Sequence, residues 1–121
     1  MAKIPEFLLR ALYVKGSLTN TDAGFEFQIK NELGPVRVIG AQPLKVDRKP
    51  IPPKQCQFIL GDLIAGFEDV STENSVLMRK GEALTVKVQG VSLRQGRRTI
   101  GIGILVKDMG AVSFNVSDQV K

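Results

Sequence analysis

The residues of this sequence with the most chemical capability are a group of carboxylates. Asp62, Glu68, Asp69 and Glu73 fall within one short segment. Carboxylate oxygens are ligands that Mg²⁺ and Ca²⁺ prefer, and paired carboxylates serve as acid and base in glycoside hydrolysis. Their spacing does not match a calcium-binding loop, in which ligands recur every second residue about a central glycine. We therefore predict no metal site and no cofactor.

Nucleophilic and acid–base chemistry is limited by what the chain lacks. The sequence contains no histidine and one cysteine, Cys56. A Ser-His-Asp triad, a Cys-His dyad and the common zinc sites therefore cannot be assembled from this chain alone. Cys56 lies in the pattern Gln55-Cys56-Gln57-Phe58-Ile59-Leu60, which is typical of a buried strand rather than of an activated thiolate. The sequence favours a non-enzymatic function, and we predict no catalytic residues.

Two glycines interrupt an isoleucine-rich run and indicate a contact surface. After Gly101-Ile102-Gly103-Ile104 no glycine follows at the position that a dinucleotide-binding motif requires and no helix is predicted, so the run is not such a motif. On a strand, Gly101 and Gly103 would leave one face bare, which suits a bend or the close approach of a partner. The residues 61–81 form the least regular segment and are the other candidate partner surface, through Asp62, Glu68 and Asp69.

The formal net charge of +5 supports an alternative function, the binding of nucleic acid or another polyanion. The basic residues lie in three predicted loops: Arg94, Arg97 and Arg98 in one, Arg79 and Lys80 in another, Arg48 and Lys49 in the third. We predict that these loops meet at one end of the domain. The chain has no tryptophan and one tyrosine, so few aromatic platforms are offered to single strands, and nucleic acid is not the favoured partner.

The elements that must position these residues are strands. Phe25, Phe27 and Ile29 alternate with polar residues, which is typical of a half-buried strand. Strands are predicted, by alternation or by short apolar runs, at 12–18, 24–30, 36–39, 44–46, 57–60, 83–89, 100–106 and 112–116, with a short helical turn at 4–10. Turns are predicted at 19–24 and 47–50, and the segment 61–81 is predicted to be a loop with at most an edge strand at 76–78.

These patterns predict one all-β domain over residues 1–121, an antiparallel β-sandwich of about eight strands, with an immunoglobulin-like topology as one option. The predicted core consists of Phe25, Phe27, Ile29, Val86, Val88, Ile102, Ile104, Phe114 and Val116. The apolar runs are far shorter than the ~20 residues that span a bilayer, and the N-terminus has no secretory signal pattern. We expect a cytoplasmic protein with no membrane association.

The order of several motifs resembles a known family, the small β subunit of bacterial C-glycoside deglycosidases. The motifs are Ser17–Asn20, Gly24–Ile29, Leu44–Asp47 with Ile51-Pro52, Gly81–Val88 and Leu93–Gly96 with Ile100 and Ile102. The resemblance implies a β-sandwich that is not itself catalytic. It also implies a TIM-barrel partner that carries a divalent metal and the acid–base residues.

The function expected from the sequence is that of a non-catalytic accessory or assembly subunit. It would pack against a partner chain or against further copies of itself. By the resemblance, that partner would belong to a sugar-processing enzyme. The alternative is the basic module described above, with Arg94, Arg97, Arg98, Arg79 and Lys80 as its binding residues.

Overall fold

The computed structural model describes residues 4–121. In this range the chain forms one short helix and eleven strands: α1 (Glu6–Arg10), β1 (Thr19–Asn20), β2 (Gly24–Lys30), β3 (Val36–Ala41), β4 (Lys45–Val46), β5 (Lys49–Pro50), β6 (Cys56–Leu60), β7 (Leu63–Gly66), β8 (Val76–Met78), β9 (Ala83–Gln89), β10 (Arg97–Val106) and β11 (Gly110–Gln119). Single 3-10 turns lie at Pro53–Gln55 and Phe67–Asp69. None of the helices in this range is long and apolar enough to cross a membrane.

The strands form two antiparallel sheets. The first sheet has the order β1-β2-β9-β6-β7. The second has the order β5-β4-β10-β3-β8, and β11 pairs with β10 along its full length. Strands β4 and β3 pair with successive parts of β10, at Ile100 and at Ile104–Val106. The prediction of an all-β antiparallel sandwich is confirmed.

The core lies between the two sheets, where strand alternation predicts it. Of the nine predicted core residues, eight are buried, and Ile104 is partly buried and packs against them. Phe25, Phe27 and Val86 are completely buried because β2 and β9 are neighbours in the middle of the first sheet. Burial of such apolar surface is the main stabilising contribution to the domain.

The two ends of the sandwich carry different residues. The upper end is where Lys30 of β2 pairs with Ala83 of β9, and it includes the β2–β3 loop and the β10–β11 turn. The lower end is where Gly24 pairs with Gln89. Since β9 has seven residues and these pairs lie at its two ends, the upper and lower ends are roughly 20 Å apart.

The N-terminal part of the chain differs from the predicted strand at 12–18. The helical turn is confirmed as α1, which follows Pro5. Beyond it, Tyr13 makes a single bridge to Ile29, and the chain then turns at Gly16, whose φ is +85°. The paired residues are instead Thr19–Asn20, inside the predicted 19–24 turn. The prediction of a continuous strand is wrong because the positive φ at Gly16 ends the extended conformation.

The segment 61–81 is more regular than predicted. The edge strand at 76–78 is confirmed as β8, but β7 was not predicted. Strands β6 and β7 form a hairpin in which Leu60 pairs with Leu63 across the two-residue turn Gly61-Asp62. A glycine–aspartate pair between apolar residues is a recognised hairpin signal. Alternation could not reveal β7, because both Leu63 and Ile64 are exposed.

The segment Leu93–Gly96 carries the chain from β9 in the first sheet to β10 in the second. The side chain of Asn20 fixes this crossing. Its Nδ2 donates to the Leu93 carbonyl at 2.9 Å, and its Oδ1 accepts from the Leu93 N–H at 2.8 Å. The amide thus holds β1 to the corner between the sheets.

Candidate functional site

An apolar cavity lies between the two sheets at the upper end of the sandwich. Its volume is approximately 500 Å³. Its interior walls are buried side chains of both sheets, among them Phe58, Ile102 and Phe114. Four lining residues are exposed and mark its mouth: Pro5 and Leu8 at α1, and Leu33 and Pro35 in the β2–β3 loop. A volume of this size lies in the range of small-molecule sites.

The cavity offers almost no polar contact to a ligand. Among the described residues that line it, Asn31 is the only one whose side chain carries nitrogen or oxygen. The Asn31 Nδ2 donates to the carbonyls of Gly34 and Met78 at 2.7 and 3.1 Å, and Oδ1 accepts from the Leu33 N–H at 3.1 Å. The Asn31 side chain therefore holds the β2–β3 loop at the mouth, and its N–H groups are not available to a ligand in the cavity.

The predicted carboxylates do not converge on a metal site. Asp62 lies in the β6–β7 turn, whereas Glu68 and Asp69 lie in the 3-10 turn that follows the other end of β7. All three are exposed. Within residues 4–121 no group of three or more histidine, cysteine, aspartate or glutamate residues is placed to hold a metal ion.

The two strand glycines lie on the outer face of the second sheet, and this face is not bare. A Cβ atom at Gly103 would come within 2.3 Å of Gln42 Oε1, and one at Gly101 within 3.0 Å of Asn115 Oδ1. The glycines therefore make room for side chains of neighbouring strands. Together with Lys45 these residues form a shallow polar depression of approximately 230 Å³.

The basic residues divide between the two ends of the sandwich. Arg94, Arg97 and Arg98 lie at the lower end, and the β4–β5 turn with Arg48 joins them, because Arg98 Nη1 is 3.5 Å from Asp47 Oδ2. Arg79 and Lys80 lie at the upper end, since they precede β9. The predicted convergence of three loops is therefore correct for two of them and wrong for the third. One basic loop precedes β9 and another follows it, so the two loops lie at opposite ends of the strand.

A partly buried ionisable pair, Tyr13 and Asp118, was not predicted from the sequence. Tyr13 and Asp118 are joined by a 2.7 Å hydrogen bond from the phenol to Oδ2. Burial alone would raise the pKa of Asp118, but hydrogen bonds from Tyr13 and from the Gly16 and Gln119 N–H groups, with the charge of Arg97, lower it instead. Burial, reinforced by the Asp118 carboxylate, raises the pKa of Tyr13 to about 12. The pair is fully engaged in internal bonding.

Cys56 is placed as the sequence predicts. It begins β6 and is 1% exposed. Burial raises the pKa of the thiol to about 11, so it stays protonated at neutral pH. Its Sγ lies 3.8 Å from the Pro52 carbonyl. A protonated, enclosed thiol is a poor nucleophile.

Comparison with known protein families identifies the domain. Residues 8–121 match the family model of the hydroxymethylglutaryl-CoA reductase N-terminal domain. The chain belongs to this family. No curated protein matches the sequence. The match includes the last three residues of α1 and every strand, and it therefore covers both sheets and most of the residues that line the cavity between them.

Membership of the reductase N-terminal-domain family corrects the resemblance drawn from sequence motifs. The expectation that the chain is a small β subunit of C-glycoside deglycosidases is wrong, because the chain matches the reductase N-terminal-domain family instead. Motifs such as Gly24–Ile29 and Gly81–Val88 form strands β2 and β9. Alternating strands of this kind recur in many β-sandwiches, so their order does not distinguish between families.

Proposed function

We propose that this chain is a non-catalytic accessory domain that packs against a larger partner chain or domain. The proposal is supported by the lack of histidine in the sequence and by the placement of Asp118 and Cys56, which are both buried and internally bonded. It is also supported by the family description, which names the N-terminal domain of a larger enzyme. Cytoplasmic location is part of the proposal and accords with the free Cys56 thiol.

The observation that carries the proposal is the exposed edge strand β7. It pairs with β6 on one side and is the last strand of the first sheet. Leu63 and Ile64 are 46% and 62% exposed, and they are two of the three large apolar side chains exposed on the described strands. The strand contains no charge and no proline, the features that usually protect an edge from pairing.

The sheet edges formed by β5 and β11 are better protected. Strand β5 is two residues long and contains Pro50, and the adjacent Lys49 is charged. Strand β11 is contacted by α1, where Arg10 Nε donates to the Asn115 carbonyl at 3.1 Å. An additional strand from a partner would find open N–H and C=O groups at β7 and would cover both apolar side chains.

The partner to test first is the catalytic region of a hydroxymethylglutaryl-CoA reductase from the same organism, because the family description names that enzyme. The chain and this region would be co-expressed, and the mass of the product would be measured by size exclusion with light scattering. We expect a stable complex. Ile64→Lys should weaken it about tenfold or more, since a charge would replace a central apolar contact.

The matched control is Phe7→Lys, which changes an equally exposed apolar residue on α1, away from β7. We expect this variant to form the complex as the parent chain does. A chain that is monomeric with and without the reductase region would contradict the proposal. So would a complex that Ile64→Lys and Phe7→Lys affect equally. Self-association that depends on Ile64 would instead identify a second copy of the chain as the partner.

A second candidate function, polyanion binding, is favoured by the joining of two basic loops at the lower end. Arg48 and Arg94 lie in those loops and are exposed. Binding of a labelled DNA duplex should fall steeply as salt rises, because affinity would come from phosphate neutralisation. Arg48→Glu with Arg94→Glu should abolish it, and Arg79→Glu with Lys80→Glu at the upper end should not. Equal loss in both double variants, or no binding at low salt, would exclude this function.

A further inference from the structure

We propose that the cavity between the sheets binds a single aliphatic hydrocarbon chain, such as the acyl chain of a fatty acid. This proposal is independent of the partner surface at β7, since Leu63 and Ile64 do not line the cavity. Its basis is the size of the cavity, the chemistry of its walls and the position of its mouth.

The walls favour aliphatic over aromatic or polar ligands. Most lining residues are branched aliphatic side chains or methionine, and Phe58 and Phe114 are the only aromatic residues among the described lining. Met78 and Met109 add flexible, polarisable contacts that adapt to an irregular chain. Since both N–H groups of Asn31 donate to Gly34 and Met78, and its Oδ1 accepts from Leu33, the one polar side chain of the lining has no free donor for a polar group inside.

The mouth determines the orientation of the ligand. The cavity opens beside Leu8 on one side and Leu33 on the other, which are 38% and 45% exposed. A polar head group placed inside would lose its hydration without gaining a hydrogen bond, at a substantial cost in affinity. The hydrocarbon end must therefore enter first, and the head group stays in water at the upper end of the sandwich.

The depth of the cavity predicts a dependence on chain length. Its interior residues come from both sheets, with Leu84 from the first and Ile102 from the second. Each methylene buried against such walls should increase affinity by up to about fourfold. The increase should stop when the chain is longer than the cavity, because further methylenes remain in water.

Isothermal titration calorimetry with hexanoate, octanoate, decanoate and dodecanoate, each below its micelle concentration, tests the proposal. We expect saturable binding that tightens along this series and a thermal transition that rises with ligand. Decanol should bind as decanoate does if the chain alone is recognised. Tighter binding of decanoate than of decanol would still support the cavity and would add a contribution from the basic residues of the upper end, Arg79 and Lys80.

Two kinds of variant locate the site. Leu8→Asp places a charge at the mouth on an exposed helix position and should weaken decanoate binding about tenfold or more. Phe7→Asp is the matched control on the same helix, since Phe7 does not line the cavity. Val112→Phe should fill part of the interior, weaken binding and preserve or raise the thermal transition without ligand.

Three outcomes would overturn the proposal. One is the absence of saturable binding by every chain of the series. Another is equal binding by the Leu8→Asp and Phe7→Asp variants, which would place the ligand elsewhere. The third is affinity that does not change from hexanoate to dodecanoate. Ile64→Lys should leave decanoate binding unchanged, so failure of the partner proposal and failure of this one are distinguishable.

Discussion

The phenol of Tyr13 donates a 2.7 Å hydrogen bond to Asp118 Oδ2 and joins two parts of the chain that are 105 residues apart. The same oxygen accepts from the Gly16 N–H at 2.7 Å, and Oδ1 accepts from the Gln119 N–H at 2.8 Å. One carboxylate thus holds the turn at Gly16 against the end of β11. The Asp118 charge is stable at this position because three hydrogen bonds to the carboxylate compensate for its lost hydration.

Asp118→Asn should lower the stability of the domain at neutral pH by about 1–3 kcal/mol, because a charged acceptor of several hydrogen bonds is replaced by a neutral one. The pKa of Asp118 is lowered in the folded state. Its stabilising contribution is therefore present above the unfolded pKa of about 3.9 and is lost as pH falls through the folded pKa. Urea denaturation across this acidic range should show that the free energy of unfolding falls less with pH in the Asn variant than in the parent chain.

Tyr13→Phe is the companion variant for alkaline pH. The Tyr13 pKa is raised to about 12 in the folded state. The corresponding stability is present below the unfolded pKa of about 10 and is lost as pH rises through the folded value. The Phe variant should be less stable than the parent chain at neutral pH. Between pH 10 and pH 12, roughly the unfolded and folded pKa values of Tyr13, its free energy of unfolding should fall less than that of the parent chain. Parallel pH profiles of the variant and the parent chain would contradict the structural role of this pair.

Cys56 should be almost unreactive in the folded protein. It is 1% exposed, and burial raises its pKa to about 11. We expect iodoacetamide at mildly alkaline pH to modify the thiol at least about tenfold more slowly in buffer than in denaturing urea. Mass spectrometry of quenched samples measures both rates. Rapid modification in buffer would show that β6 opens readily at its first residue and would contradict the protected position of Cys56.

The sequence predicted the central strands well and the edges poorly, for a physical reason. Phe25, Phe27 and Ile29 alternate because β2 has one buried and one wet face, and this alternation is visible without a structure. Leu63 and Ile64 at an open edge are both exposed, so β7 shows no alternation. The Tyr13 and Asp118 pair depends on a contact between distant residues, which no local pattern records.

The cavity was also invisible in the sequence. Residues such as Ile29, Phe58 and Ile102 have the pattern of ordinary core residues, and two of them were predicted as core. Whether opposing core residues meet or leave a space depends on the separation of the two sheets and on the position of α1. Neither quantity follows from composition or period. The Gly61-Asp62 turn, by contrast, carried a local signal that could have revealed the β6–β7 hairpin.

Two glycine substitutions should differ sharply in cost. A Cβ at Gly24 would lie 2.1 Å from the Val88 carbonyl oxygen, a backbone atom of the paired strand β9. Gly24→Ala must therefore displace the central strands and should cost about 3 kcal/mol or more. At Gly103 the nearest atom is the end of the flexible Gln42 side chain, at 2.3 Å.

Gly103→Ala should consequently lower stability by less than about 1.5 kcal/mol, because the end of the Gln42 side chain can rotate away. The Cβ of Gln42 would remain 3.2 Å from the alanine Cβ, so the cost is not zero. Urea denaturation of both variants measures the difference. Combining Gly103→Ala with Gln42→Ala should recover part of the lost stability. If the Gly103 variant were as unstable as the Gly24 variant, the outer face of β10 would be packed more tightly than its contacts indicate.

Arg98 should stabilise the lower end in a way that lysine cannot reproduce. Its Nε and Nη2 donate to the carbonyls of Arg94 and Gln95 at 3.2 and 2.9 Å, while Nη1 faces Asp47. The planar guanidinium reaches all three acceptors at once, whereas an ammonium group cannot span them. Arg98→Lys should therefore lower stability by about 0.5–1.5 kcal/mol and speed hydrogen exchange in residues 93–96.

Arg94→Lys, at an exposed position, should change stability by less than about 0.5 kcal/mol. Equal effects of the two substitutions would show that total charge, rather than the fork of Arg98, holds the corner between the sheets.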